Sequence, residues 1–243
     1  SESLQTILDK QMRAERMKID LITNVSHDLK TPLTSMIGYV DLLKQEPLSD
    51  AAKDYVEVLS SRMESLKDMI QDIFDLSKST SGTAELHLET LDMKKLLEQT
   101  LGDMEDAIKS SGMVIREAMP EMPLKFTGDG KKMYRVLQNL IGNALKYSLA
   151  GTRIYIIAER RASQVQVTIK NTAAYEMDFT SEEIMERFAR GDKSRNTEGH
   201  GLGLAIAESF VKNMKGGLQV TVDGDQFKVQ LTFPVLEETR VIA

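Results

Sequence analysis

The 243-residue chain has no cysteine and no tryptophan, only five prolines, and no apolar run near the roughly 20 residues that a membrane span requires. Without cysteine, disulfides and thiolate metal centres are excluded. Three histidines, His27, His87 and His200, are too few and too scattered for a convincing zinc site. A formal net charge of −6 argues against nucleic acid or an anionic membrane surface as the main partner. No signal-peptide pattern opens the chain. These absences lead us to expect a protein of a reducing compartment, soluble itself or a soluble piece of something larger. Methionine is frequent, with 14 copies, as suits helix interfaces that repack or a plain core equally. The length leaves room for two modest domains.

The first 45 or so residues contain no glycine before Gly38 and a single proline, and read as one long helix. Ile22, Val25, Leu29, Pro32, Met36, Tyr39 and Leu43 recur in steps of three and four, the spacing of a helix-packing seam. His27 lies two residues past Val25, about 200° around the axis, and so points away from that seam. The carbonyl of Asp28 loses its partner to Pro32, which predicts a bend beside the histidine. A surface histidine near a kink is the plain reading of His27 by itself.

Gln45–Asp50 is a turn in which Ser49 or Asp50 can cap the next helix, expected to run to about Ser79 with Leu59, Met63, Leu66, Ile70 and Ile73 on one face. A short loop between long helices predicts an antiparallel hairpin. Two helices bury both stripes poorly alone, so a homodimeric four-helix bundle through residues 1–80 is the economical expectation. Packing of the hairpin on the C-terminal half is the alternative. Ser77–Thr83 is a small-polar linker, so we divide the chain at 1–80 and 81–243.

Beyond the linker, strands and helices alternate. Expected are a strand at 85–89, a helix at 92–110, short strands at 114–118 and 124–126, and a helix from Asp129 to about Tyr147. A hairpin of 153–159 and 165–171, a helix at about 201–214, and a hairpin of 218–222 and 227–233 complete the pattern. Mostly antiparallel strands with helices on one face make an α+β sandwich.

In the helix opened by Asp129, Asn139 and Asn143 stand at i,i+4, with Lys146 and Tyr147 a further turn on; Leu137, Leu140, Ile141 and Ala144 form the core face. A solvated polar face is the alternative for each residue singly. Two amides followed by a lysine and a tyrosine are nevertheless unusual there. An amide oxygen suits Mg²⁺, which takes few protein ligands and completes its shell with phosphate and water. Lys146 can neutralise a phosphate and Tyr147 can cover a flat base. Gly199, Gly201 and Gly203 run directly into a helix, where backbone N–H groups can approach an anion. The long segment before them carries Arg187, Arg190, Lys193 and Arg195, a cationic lid on the functional reading.

These motifs resemble, over essentially the whole chain, the catalytic core of the bacterial sensor histidine kinases. Ser26–Leu33 is similar to the family's H box, Gln138–Ser148 to its N box, Glu186–Arg195 to its F box and Gly199–Leu204 to its G2 box. The resemblance implies a dimeric helical-hairpin phosphotransfer domain followed by an α/β-sandwich ATPase domain of the GHKL type. It implies that His27 accepts the γ-phosphoryl group of ATP, with Asp28 holding the other ring nitrogen as base. Thr31 would position water when the partner is dephosphorylated. Asn143 would ligate Mg²⁺ and Asn139 would line the same site. Lys146, Arg190, Lys193 and Arg195 would meet the phosphates, Tyr147 would flank the adenine, and the stretch Gly199, Gly201, Leu202, Gly203, Leu204 would wrap the triphosphate.

The implied partner is the receiver domain of a response regulator, phosphorylated on an aspartate. The implied setting is the cytoplasmic part of a membrane-anchored receptor whose sensor lies upstream, with no membrane contact in this segment.

Two departures stand out. The family's Asp-x-Gly-x-Gly box, whose aspartate accepts the adenine amino group, is here Asn171-Thr172-Ala173-Ala174-Tyr175, and its late glycine-threonine box is Asp225-Gln226-Phe227. An asparagine carbonyl still accepts that bond, without the charge. The second reading these departures motivate is a degenerate kinase acting as a dimeric scaffold or phosphatase for a regulator.

Overall fold

The computed structural model describes residues 25, 26, 28–80, 85–177 and 202–236. The chain divides into two compact units, Ser1–Ala84 and Glu85–Ala243. Among the described residues no helix is long and apolar enough to cross a membrane.

The first unit is a helical hairpin. Helix α1 covers 28–43 and helix α2 covers Asp50–Thr80. Pro47 and Ser49 make the turn, with the Ser49 hydroxyl accepting from the Ala52 N–H at 3.4 Å. The antiparallel register shows in two cross-links: Lys44 donates to Ser60 at 2.7 Å near the turn, and Lys30 donates to Gln71 at 2.6 Å further away.

The contact line between the helices differs from the expected seam. Ser26, Leu33 and Val40, spaced by heptads, are the buried positions of the first helix; Val56, Ile70 and Ser77 fall on one heptad position of the second. Val25, Leu29, Met36, Tyr39 and Leu43 are exposed within the chain, as are Leu59 and Leu66. Each apolar stripe is wider than one neighbouring helix can cover, so the pair seals one edge and leaves the other bare.

The second unit is built from β1 (Glu89–Asp92), α3 (Met93–Asp103), α4 (Glu105–Ser111), β2 (Val114–Ala118), β3 (Lys125–Gly128), α5 (Gly130–Tyr147), β4 (Arg153–Arg161), β5 (Gln164–Thr172), α6 (Gly203–Asn213), β6 (Gly217–Asp223) and β7 (Gln226–Pro234). Five strands form one sheet in the order β2-β4-β5-β7-β6, antiparallel except for β2 with β4; β1 and β3 form a small antiparallel ribbon.

Three expected boundaries move. The first strand sits at 89–92 rather than 85–89, because its partner β3 is reached only there, Glu89 opposite Gly128 and Asp92 opposite Lys125. The same pairing carries β3 on to Gly128. The single helix expected over 92–110 is two, broken at Met104 just after Gly102, a residue of low helix propensity. Asp92 caps α3, accepting from Lys94 N–H at 3.1 Å and Leu124 N–H at 3.0 Å, and so ties the helix start to the chain entering β3.

Alternation directs Ile154, Ile156 and Ala158 of β4, Val165, Val167 and Ile169 of β5, and Val229, Leu231 and Phe233 of β7 to one buried face. On α5, Met133, Val136, Leu137, Leu140, Ile141 and Ala144 are buried, and the helix packs against α3, α6 and β5. The core face expected of this helix is the one observed. Tyr134 braces its outer side, donating to the Asp103 carboxylate at 2.9 Å and accepting from Gln138 at 3.0 Å. Burial and then that carboxylate raise the phenol's pKa above 10.0.

Asp129 starts α5 and is almost fully buried. One carboxylate oxygen accepts from the Lys132 N–H at 3.1 Å; the other accepts from the His87 N–H at 3.0 Å and from the Lys132 ammonium at 3.2 Å. Burial pushes its pKa up, but these donors and the lysine charge outweigh burial and hold it below 3.8. A depressed carboxylate stabilises the fold above its unfolded pKa and loses that contribution as pH falls through its folded value.

Two outcomes follow from this packing. Asp129→Asn sets an NH₂ donor against donors and is expected to lower stability at pH 7 by about 1–3 kcal/mol. Urea unfolding followed by circular dichroism should show the gap from wild type closing as pH drops below 3.8. A β-carbon at Gly216 would stand 2.5 Å from the ring of Phe233, which is itself packed on Phe126 at 4.7 Å between centroids. Gly216→Ala should therefore cost about 1–3 kcal/mol and lower the thermal midpoint by several degrees.

Candidate functional site

One face of α5 is core, and the other carries the amides. Asn139 and Asn143 are half-buried, Tyr147 is half-buried and Lys146 is exposed. Among the described residues, the Asn139 side-chain nitrogen is a buried polar atom without a hydrogen-bond partner. Its neighbour is the start of α6: a β-carbon placed on Gly203 would lie 3.5 Å from the Asn139 amide carbon. Gly203 therefore stands within ordinary van der Waals range of the Asn139 amide. The N-terminus of α6 has no side-chain cap, because Leu202 precedes it. The Leu204 side chain is 1% exposed and belongs to the core, so only its backbone is available to a ligand.

The far end of α5 is zipped onto the end of β5. Leu149 N–H donates to Thr172 C=O and Ala174 N–H to Tyr147 C=O, both at 2.9 Å, with Ser148 bridging Ala173. The turn between β6 and β7 grips the same segment from the other side. Ala173 N–H donates to Asp225 C=O at 2.7 Å, and the Gln226 amide donates to the Thr172 hydroxyl at 2.8 Å. The two stretches that depart from the familiar boxes are thus joined to each other.

Asn171 lies in this clamped segment. It continues the buried alternation Val165, Val167, Ile169 and is itself 3% exposed, an amide where the pattern supplies apolar residues. Tyr175, one helical end away, meets the Tyr147 ring edge-on at 6.3 Å and 90°, while the Lys146 ammonium sits over Tyr147 at 5.1 Å. Tyr175 was not a sequence candidate; its signal was an aromatic residue at a position where the resemblance calls for glycine.

Asn139, Asn143, Lys146 and Tyr147 share α5; Leu202, Gly203 and Leu204 start the neighbouring α6; Asn171 is clamped to the end of α5. Arg190, Lys193, Arg195, Gly199 and Gly201 lie outside the described residues, as does His27. Asp28 and Thr31 are exposed on α1, in the other unit. In the first unit, Ser26, Lys30, Ile70, Gln71 and Phe74 line a cavity of about 60 Å³. Lys30 and Lys78 flank the Phe74 ring at 6.0 and 4.4 Å.

The donor set fits a nucleotide. A buried amide nitrogen wants an acceptor, the start of α6 has no side-chain cap on its backbone N–H groups, and two aromatic rings stand at the other end of α5. Among the described residues no group of three His, Cys, Asp or Glu could hold a metal.

Comparison with known proteins places both units in known domain families. Residues 17–82 match the family model of the His Kinase A (phospho-acceptor) domain, and residues 128–237 that of the histidine kinase-, DNA gyrase B-, and HSP90-like ATPases. Sensor histidine kinase GacS of Pseudomonas protegens is 28% identical over 233 residues, which is 92% of this chain and 25% of that protein. Sensor histidine kinase YcbM of Bacillus subtilis is 28% identical over 223 residues, 90% of this chain and 72% of that one. The crystal structure of full-length ShkA in complex with AMPPNP superposes with a TM-score of 0.76 at 24% identity, covering 90% of this chain and 46% of that chain, a likeness of fold. With a phospho-acceptor domain ahead of an ATPase domain of this type, the chain belongs to the sensor histidine kinase family.

Proposed function

We propose that the chain is an ATP-dependent histidine kinase core that phosphorylates its own His27 and passes the phosphoryl group to an aspartate on a response-regulator receiver domain. The observation that carries this reading is the amide face of α5, with the buried Asn139 nitrogen unpaired opposite the open start of α6. The chain spans 25% of GacS and 72% of YcbM, so the activity and partners are proposed for the core itself.

The chemistry asks mainly for positioning and charge neutralisation. A histidine near its ordinary pKa of roughly 6.5 is mostly neutral at pH 7 and keeps a free ring lone pair. That lone pair attacks the γ-phosphorus of ATP; a P–N bond forms, the bond to the bridging oxygen breaks, and ADP leaves. Asp28 accepts the hydrogen bond of the other ring nitrogen and takes its proton. Neighbouring helical side chains do not face each other, so this contact relies on a bend at Pro32 or a rotamer shift. Mg²⁺, held by the Asn143 amide oxygen and the phosphates, would supply charge neutralisation. Asn139 donates to a phosphate oxygen, and Lys146 with Arg190, Lys193 and Arg195 adds positive charge. Gly199, Gly201 and Gly203, with the backbone of Leu202 and Leu204, wrap the triphosphate. Tyr147 covers the base and Asn171 reads its edge. Thr31, one turn beyond His27, positions water for dephosphorylation of the regulator.

The wide apolar stripes of residues 1–80 support a homodimeric four-helix bundle in which a second copy covers Val25, Leu29, Met36, Tyr39 and Leu43. We keep the division at 1–80 and 81–243, phosphotransfer hairpin and ATP-binding domain. The cytoplasm, where ATP and receiver domains occur together, is the matching compartment.

Asn171 favours a second reading, a degenerate kinase that serves as a dimeric scaffold or phosphatase. Calorimetry separates the two: a folded dimer that takes up no ATP–Mg²⁺ supports the scaffold.

His27→Gln should incorporate no label from γ-labelled ATP under Mg²⁺. Asn143→Ala should lose labelling with an unchanged circular dichroism spectrum, and full labelling of that variant would remove the metal assignment. Thr31→Ala should label normally while regulator dephosphorylation slows by about 10²-fold or more, as for loss of a group that orients the attacking water. Equal loss of both activities would sink that division of roles.

A further inference from the structure

Asn171 is the polar residue that the fold explains least. Its side chain points to the buried face of the central strand β5, in phase with Val165, Val167 and Ile169, and is 3% exposed. The hydrogen bonds that hold this segment run through the backbone and through Thr172 and Gln226, and leave the Asn171 side chain out. A second feature belongs to the same clamped stretch: the rings of Tyr147 and Tyr175 stand edge to face, 6.3 Å apart. The segment is held still on both flanks, by Tyr147 and Leu149 after α5 and by Asp225 and Gln226 in the β6–β7 turn. A buried amide in a clamped segment that also carries an aromatic pair can meet a flat heterocycle through its edge.

The hydrogen-bonding inventory of that amide differs in kind from that of a carboxylate. An ionised carboxylate only accepts, so it rewards a 6-amino group and repels a 6-oxo group. An amide both accepts and donates, and can turn over to exchange the two. In one orientation its oxygen accepts from the amino group of a 6-aminopurine while its NH₂ donates to ring nitrogen N1. In the other, its NH₂ donates to the carbonyl of a 6-oxopurine while its oxygen accepts from N1–H. Both edges are matched with two bonds each. The aromatic pair adds no discrimination, since every base offers a π-face.

We propose that Asn171 lets this site accept 6-oxopurine nucleoside triphosphates, such as GTP, alongside 6-aminopurine ones, with Tyr147 and Tyr175 supplying base-independent stacking. The proposal rests on the reading of this end of α5 as the nucleotide site.

Titration calorimetry of the full chain with Mg²⁺ and the non-hydrolysable β,γ-imido analogues of ATP and GTP tests it. The wild type should bind the two within about tenfold of each other. Asn171→Asp should shift that ratio toward the ATP analogue by about tenfold or more, because the donor to the 6-oxo group is gone. Asn171→Ala, which introduces no buried charge, should weaken both by similar factors, and Tyr175→Leu should do the same. A wild type that prefers the ATP analogue by more than about 100-fold overturns the proposal and leaves the nucleotide site standing. So does a folded Asn171→Asp protein with an unchanged ratio, or an alanine variant that loses one nucleotide alone. Binding of neither analogue overturns both this proposal and the nucleotide reading beneath it.

Discussion

Everything in the second unit depends on how α5 is pinned. Its apolar side, from Met133 to Ala144, is locked against α3, α6 and β5. Its first turn is fastened by the buried Asp129 carboxylate, and its last by backbone bonds to the end of β5. A helix held along one face and at both ends cannot roll. Its other face is therefore presented at a set angle, and that face carries Asn139, Asn143 and Tyr147. The free energy that fixes these amides comes from buried aliphatic groups and one capping carboxylate, none of which has any part in the chemistry.

The same constraint explains why an unpaired nitrogen survives in the interior. An isolated buried amide donor costs about 1–3 kcal/mol, and a helix free to rotate would turn it toward solvent. Here the core holds Asn139 in place opposite Gly203. Asn171 is held in the same way by the sheet. Its position in the strand alternation commits it to the buried face whether or not a partner is there. Local stability is spent on holding these polar groups in the interior.

The first unit follows a different logic. Its helices meet along one heptad position each and leave a second row of apolar residues bare. A two-helix contact is narrower than the stripes written into these sequences, so periodicity located an apolar stripe on the first helix without telling which part of it meets the second helix of the same chain. Period tells which residues lie on one side of a helix; it does not tell which neighbour each of them meets.

Much was legible beforehand because it is local. The 3.6-residue period of α5, its Asp129 cap, its core face Leu137, Leu140, Ile141 and Ala144, and both C-terminal hairpins depend on nearby residues, and pattern sufficed. The ends of β1 and β3 were misplaced because a strand end is set by its partner, and these two partners lie some thirty-five residues apart. The break at Met104 and the lone parallel pairing of β2 with β4 likewise belong to packing. For the site, the amides, the glycines and the departure at Asn171 could all be named from the sequence. That Tyr175 meets Tyr147, that the two altered stretches at 171–175 and 225–227 are hydrogen-bonded together, and that Asn139 faces Gly203 were decided by the fold alone. Residue identity sets what each group can donate or accept, while only chain crossings over long sequence separations determine which groups stand within reach of one another.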